Sequence, residues 1–341
     1  MRLDGSWAPA GASRIQFRSA VAIRSLLSLF MSVQSSAIVP RRHLLSALPA
    51  GLGWGVLGVA AFSFTVPLTR VAVADLSPLF IGAGRAVVAA VLAAIALTVT
   101  RQALPRGRQW LRLVIVAGGV VAGFPLLTTY ALTEVPASHG AVVIALLPAA
   151  TAVLAVLRTG ERPVRAFWVF SACGAAAAIG FAIAQGGGID QVHRADLLLF
   201  AAVLVCAMGY AEGGLLTREL GSWQTISWAL VVAAPVMATL TAISVVRQPP
   251  SAPPAAWACF AYLACVSMYL GFFAWYRGLA IGPMAQVSQV QLVQPVLTIS
   301  WAALLLGEQI TAATVVGGLA VILLAGGATS SRGRRGRARP S

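Results

Sequence analysis

The chain has 341 residues, of which 59% are apolar and only 10% carry a formal charge, against about 25% charged in an ordinary soluble domain. With a mean hydropathy of +0.87, a water-facing surface of normal size cannot be assembled, which excludes a soluble enzyme, a nucleic-acid-binding domain and a disordered protein. The net charge of +15 rests on 24 basic residues, every one an arginine, so the informative question is on which side of a bilayer they lie.

Residues 1–47 form a basic, serine-rich tail with Arg2, Arg14, Arg18 and Arg24 against Asp4, and a short apolar run at 26–33. They read as a flexible tail or an over-long start, with a targeting segment as the alternative. A membrane helix needs roughly 20 apolar residues to cross about 30 Å of hydrocarbon. Ten such stretches follow, at about 48–69, 77–99, 111–132, 138–157, 164–184, 196–216, 223–246, 256–276, 284–306 and 310–328. The gaps hold turn-forming or charged residues, such as Pro105 and its flanking arginines, Gly160 to Pro163, and Pro249 to Pro254. The expectation is an all-α integral membrane protein with ten transmembrane helices and almost no extramembrane domain.

Arginine in short loops marks the cytoplasmic side. With both termini inside, sixteen arginines fall in inner segments, among them Arg41, Arg101, Arg112, Arg158, Arg218, Arg277 and the 332–339 tail. Only Arg70, Arg194 and Arg247 fall outside. The termini are expected in the cytoplasm.

The sequence also repeats. Pro136 matches Pro283, Pro148 matches Pro295, Thr151 matches Thr298, Gly160-Glu161 matches Gly307-Glu308, and Gly180 matches Gly327, each pair 147 residues apart; Leu68-Thr69-Arg70 matches Leu216-Thr217-Arg218 at 148. This divides the chain into repeats at 48–184 and 196–328, followed by an Arg-rich tail at 329–341. Five spans per repeat is an odd number, so the second copy enters the membrane inverted. Equivalent loops then face opposite sides and differ in arginine, as 158–165 (three) and 305–312 (none) do. Inverted repeats place a binding site near the midplane, between halves that rock to expose it alternately.

The run Tyr130-Ala-Leu, Pro136, Pro148, Gly160-Glu161-Arg162, echoed by Tyr276-Arg-Gly-Leu-Ala, Pro283, Pro295, Gly307-Glu308-Gln309, resembles the EamA domain of the drug/metabolite transporter superfamily. Trp54-Gly55, and Ser77-Pro78 followed by Arg85, are similar to the family's opening half-repeat. The resemblance covers about 48–328. It implies an inner-membrane carrier of ten helices, with helices 3, 4, 8 and 9 lining a central cavity, in a family that includes exporters of amino acids and other small metabolites. The second half departs from the first in having Met208-Gly209 for Trp54-Gly55 and no counterpart of Arg85.

Ionisable and polar residues within spans are functional candidates by default. Arg85, among Gly82, Ala83 and Gly84, either holds an anionic group of the substrate, is satisfied by neighbouring carbonyls, or snorkels. Glu212, before Gly213-Gly214, is a candidate for proton coupling, with a pair to Arg218 as its structural alternative. Glu134 and His139 read as a wetted rim. In span 9, Gln286, Ser288, Gln289, Gln291, Gln294, Thr298 and Ser300 make one helix unusually polar, and Gln291, Gln294 and Thr298 share a face. They line a cavity or bond another helix; the first-half counterparts of Gln291 and Gln294 are Ile144 and Leu147, so the fold itself does not require those amides. Substrate contacts are therefore expected at Arg85, Tyr130, Gln291, Gln294 and Thr298. Pro148 and Pro295 free backbone carbonyls at the same depth.

Trp110, Trp168, Trp223, Trp275 and Tyr276 read as an interfacial belt, while Trp54, Phe64, Tyr130 and Tyr269 read as packing residues that can also line a cavity. Gly160-Glu161 and Gly307-Glu308 read as a C-cap followed by a carboxylate for the next helix's N-terminus. Cys173, Cys206, Cys259 and Cys265 read as small buried residues. No cofactor or metal is expected, and no nucleotide-binding loop is present. The partners are a small-molecule substrate and the lipid bilayer, not nucleic acid, with a homodimer left open. The expectation is a secondary active transporter, not an enzyme, exporting a small polar metabolite by proton-coupled alternating access. A multidrug exporter of the same fold is the alternative, and a channel or scaffold the distant one. A lipid enzyme would need a nucleophile or metal cluster, and the histidines at 43, 139 and 193 are scattered.

Overall fold

In hydrocarbon every backbone polar group must find an internal partner, and an apolar chain with short turns does so as helix. The computed structural model describes residues 44–159, 164–186, 194–281 and 290–333, and throughout them the chain is helix joined by turns. Gly160, Glu161, Arg162, Gln286, Ser288, Gln289 and the tail arginines beyond Arg332 lie outside the described residues.

Helix α1 comprises Leu44–Ser63 and Thr65–Ala72, stepped at Phe64. α2 is Pro78–Val99, started by Ser77, whose Oγ accepts from the Phe80 N–H at 3.1 Å. α3 runs through Arg108–Val116, a π-helical stretch Ala117–Gly123, and Phe124–Glu134. α4 is Ala137–Ile144 and Leu147–Thr159, and α5 is Arg165–Gly186. In the second half α6 is Arg194–Leu220 and α7 is Ser222–Arg247. α8 runs through Pro254–Tyr262, a π-helical stretch Leu263–Leu270, and Gly271–Ile281. α9 begins as a 3-10 turn, Val290–Val293, and continues as Gln294–Leu306; α10 is Ala312–Gly333. By length and composition, seven of the described helices can cross a membrane: α1 to α4 and α6 to α8. α9, over Val290–Leu306, and the described apolar stretches of α5 and α10, Arg165–Phe181 and Ala312–Gly327, are shorter.

The irregularities repeat as the sequence does. The two π-helical stretches occupy equivalent places in α3 and α8. α4 breaks just before Leu147-Pro148, and α9 changes from 3-10 to α just before Gln294-Pro295. In each case a proline, lacking an N–H and crowding the carbonyl four residues back, prevents the preceding turn from closing as α-helix.

Packing is paired in the same way: α1 lies on α8 as α6 lies on α3, α2 packs on α7, α5 on α10 and α4 on α9. Small residues permit the closest crossings. A Cβ on Gly278 would come within 2.9 Å of the Gly55 backbone nitrogen, and one on Gly58 within 3.0 Å of that of Trp275. Gly119 meets the Val205 carbonyl in the same way between α3 and α6. Next to Arg85, Gly82 lets Leu126 of α3 approach and Gly84 faces Phe260 of α8.

The aromatic belt needs correction. Trp110 and Trp168 point outward, but Trp223, Trp275 and Tyr276 are fully buried: Gly58 lets the Trp275 backbone close on α1, and Gly213 makes room for the Tyr276 ring. Arg277, expected among the inner-loop arginines, is also buried inside α8, with its guanidinium 5.4 Å from the centre of the Trp54 ring. That cation–π contact occupies Trp54. Of the cysteines, Cys206 is buried as expected, whereas Cys173 is exposed on the outer face of α5.

Candidate functional site

Between the halves lies a partly open, mostly apolar cavity, the kind of concave space in which small-molecule sites are found. The step in α1 contributes Phe62, Thr65 and Val66; α2 contributes Arg85; the π-helical stretches of α3 and α8 contribute Val120, Ser267 and Met268; α6 contributes Cys206 and Tyr210. Leu147 and Gln294, from the breaks in α4 and α9, complete it with Phe124, Pro125 and Phe272. A second, narrower cavity shares the walls Val66, Leu147 and Gln294 with the first. It extends to Ile144 and Pro148 on one side and Gln291, Pro295 and Thr298 on the other. The resemblance implied helices 3, 4, 8 and 9; the cavity is also built from α1, α2 and α6.

Arg85 is 1% exposed, and its Nε and Nη2 have no hydrogen-bond partner among the described residues. It neither snorkels nor satisfies these donors on neighbouring carbonyls. Among the described residues no carboxylate lines either cavity. A guanidinium held this way carries a desolvation penalty of several kcal/mol by order of magnitude, which an incoming anion can offset. Across the same cavity the Gln294 Oε1 is buried without a partner. An unpaired cationic fork and an unpaired amide oxygen thus face one space.

The rest of the polar lining is already bonded. Thr65 Oγ1 and Ser267 Oγ lie 2.7 Å apart, tying the α1 step to the π-helical stretch of α8. Thr298 Oγ1 donates to the Ser63 carbonyl at 2.9 Å, and Trp301 Nε1 donates to Ser63 Oγ at 3.0 Å, so α9 grips the carbonyl end of the same step. Gln291 is buried within reach of the Tyr210 hydroxyl. Ser300 only bonds back to the Val296 carbonyl, at 2.9 Å.

Residues separated by the repeat spacing meet here. Ile144 and Gln291, Leu147 and Gln294, and Pro148 and Pro295 all line the smaller cavity. One wall is apolar and its counterpart carries amides, which makes a symmetric scaffold chemically one-sided.

The structure therefore brings Arg85, Gln291, Gln294 and Thr298 together and leaves two candidates elsewhere. Tyr130 points outward, 36% exposed, and lines neither cavity. Glu212 also lies away from the cavities, and its partner is not Arg218. Its Oε1 accepts from Arg112 Nε at 2.6 Å, and its Oε2 from Arg158 Nε at 2.9 Å. Arg112 continues to Glu219, which also accepts from Gln109 Nε2 at 3.2 Å. Glu212 thus joins α6 to α3 and α4.

The rim at the start of α4 differs from expectation as well. Glu134 is exposed, but His139 is buried, its Nε2 2.7 Å from Asp196 Oδ1 on α6. Gly307 does form a left-handed C-cap, with φ of 65°. Glu308, however, accepts from the Ala137 and Ser138 N–H groups at 2.8 and 2.9 Å, at the start of α4 rather than α10. α4 has no side-chain cap of its own, while Thr311 Oγ1 accepts from the Thr314 N–H at the start of α10. Periodicity missed these pairs, although Asp196, an acid in the first turn of α6, is a natural partner for a histidine leaving water.

Residues 49–183 and 193–327 each match the EamA-like transporter family. The chain is 46% identical over 273 residues to the "uncharacterized transporter YdeK" of Bacillus subtilis (strain 168), covering 80% of this chain and 94% of that protein. A solved crystal structure with 18% identity shares the fold at a TM-score of 0.58, covering 85% of this chain and all of its own. A transporter fold repeated twice around a shared cavity, matched over both halves, identifies the chain as a member of the EamA-like transporter family of the drug/metabolite transporter superfamily.

Proposed function

We propose that this transporter moves a small polar metabolite carrying one carboxylate, an amino acid or related compound, across the cytoplasmic membrane. Ten spans form two inverted five-helix repeats, with both termini in the cytoplasm, and alternating access proceeds about the shared cavity. The paired packing of α1 on α8 and α6 on α3 supports the inversion; the arginine bias of the loops supports the orientation.

The observation that carries this reading is Arg85: a buried guanidinium with free donors facing an apolar-walled space between the halves. The planar fork suits a carboxylate. Gln294 offers an acceptor to a donor group on the substrate, and Gln291 and Thr298 hold the wall behind it. Phe62, Phe124, Met268 and Phe272 give the substrate's body an apolar surface. These rings also favour the multidrug alternative, but cationic drugs need an acid, whereas Arg85 is the charge on this wall.

Export is driven by the proton gradient, with Glu212 as the coupling carboxylate: it bridges the halves, and neutralising it frees Arg158 and leaves Arg112 to Glu219 alone. Everted vesicles containing the protein should take up members of a panel of amino acids and monocarboxylates when a proton gradient is imposed, and a protonophore should abolish the uptake. Absence of gradient-dependent flux across the panel overturns the reading.

A further inference from the structure

Phe64 and Glu212 occupy equivalent places in the two halves. Leu68-Thr69-Arg70 and Leu216-Thr217-Arg218 set the register at 148 residues, and the same spacing separates Phe64 from Glu212. Each lies eight residues before the end of its helix, Ala72 in α1 and Leu220 in α6.

Their surroundings are equivalent in position and opposite in chemistry. Glu212 bonds Arg112 of α3 at 2.6 Å and Arg158 of α4 at 2.9 Å. Phe64 stacks on Trp301 of α9 with ring centres 4.5 Å apart and meets Tyr262 of α8 edge-on at 5.9 Å. α8 and α9 are the second-half counterparts of α3 and α4. One three-helix junction therefore occurs twice, closed by ions in one copy and by rings in the other.

The two junctions lie at opposite ends of the bundle. Arg70, near the end of α1, donates through Nη1 to the Leu132 carbonyl at 2.7 Å, at the end of α3. Glu212 holds Arg112 at the beginning of α3. The helix between Arg112 and Leu132 rises about 30 Å at 1.5 Å per residue. The larger cavity lies between, walled by Phe62 and Thr65 beside the aromatic junction and by Tyr210 beside the ionic one.

We propose that the Arg112–Glu212–Arg158 cluster and the Phe64–Trp301–Tyr262 cluster are the two end gates of this cavity, released in alternation. This rests on the transporter reading above. In the topology proposed there the ionic gate closes the cytoplasmic end and the aromatic gate the opposite end. The chemistry suits each task. On opening, Arg158, 54% exposed, rehydrates and Arg112 keeps its bridge to the exposed Glu219, so neither cation is stranded, while the Glu212 carboxyl, 5% exposed, takes the coupling proton. The aromatic gate holds by stacked area and orientation and leaves no charge on the substrate's path.

Cys206 is a native reporter, because it lines the cavity and is 2% exposed. The test uses the full chain with Cys173→Ser, Cys259→Ser and Cys265→Ser, reconstituted in oriented vesicles and labelled from either face with a membrane-impermeant maleimide. Glu212→Gln should raise the Cys206 labelling rate about tenfold from the Arg112/Arg158 face alone, the change expected for about 1.4 kcal/mol of lost latch energy. Phe64→Ala should raise it from the opposite face alone. Arg158→Gln, at the exposed partner, should reproduce the Glu212→Gln pattern if that variant fails to accumulate. An equal rise from both faces, or no rise in either variant, overturns the gates. Labelling does not depend on substrate, so absence of flux would overturn the carrier reading while leaving one-sided gating readable.

Discussion

His139 Nε2 lies 2.7 Å from Asp196 Oδ1, and the two residues are 5% and 1% exposed. This joins the first turn of α4 to the first turn of α6 across the two halves. Removing one member leaves the other buried without its partner, which by general experience destabilises by about 3–5 kcal/mol, whereas replacing both by apolar residues is often neutral. His139→Leu should therefore lower the unfolding midpoint in detergent sharply, and Asp196→Leu added to it should restore most of the loss. A double variant as unstable as the single one would show that the pair does more than satisfy itself.

Arg85 should behave in the opposite sense. Its guanidinium is buried with two unpartnered nitrogens, so Arg85→Met removes an unfavourable burial and should leave the empty protein at least as stable by thermal unfolding. The same change should lower transport of carboxylate substrates by about a hundredfold, given about 1.5–3 kcal/mol for a charged hydrogen bond and more when bidentate. Arg85→Lys keeps the charge without the fork and should fall between. Lower stability in Arg85→Met with unchanged transport would assign Arg85 to the scaffold.

The adjacent glycines of α3 separate packing from propensity. A Cβ at Gly118 meets nothing within 4 Å, while one at Gly119 collides with the Val205 carbonyl of α6. Backbone cannot yield as a flexible side chain does, so Gly119→Ala should reduce the folded fraction recovered from membranes by gel filtration. Gly118→Ala should match wild type within about 0.5 kcal/mol, the usual range for surface changes.

Much of this architecture was legible because it is written in composition and spacing. The apolar runs locate the helices within a few residues: 77–99 was expected for α2 and Pro78–Val99 is found. The matched prolines at 148 and 295 mark real breaks, and the 147-residue spacing pairs residues that share a cavity wall. What was not legible depends on which face of one helix meets which face of another. Glu212 has Arg218 six residues away in sequence but pairs with Arg112 and Arg158, 100 and 54 residues distant. Trp275 and Tyr276 lie near a helix end, as belt residues do, yet glycines on α1 and α6 draw them inside. Arg277 is one arginine among many in the sequence, and its burial, its unpartnered Nε and Nη1 and the Trp54 ring distinguish it only in the structure.

The most discriminating change lies where the two halves disagree. Leu147 and Gln294 are repeat counterparts, both line both cavities, and only Gln294 carries a polar group. Its Oε1 bonds nothing among the described residues, so Gln294→Leu removes no hydrogen bond made by that oxygen and makes the two walls alike. Stability in detergent should stay within about 1 kcal/mol, as for a volume-conserving apolar exchange. If the oxygen receives a donor from the substrate, transport should fall about tenfold or more, the worth of roughly 1.5 kcal/mol. Comparing metabolites released by cells carrying the wild type and Gln294→Leu tests this directly, because a compound exported by the first and retained by the second is identified as substrate. Equal export profiles at equal protein levels would exclude Gln294 and move recognition to Arg85 and the apolar wall.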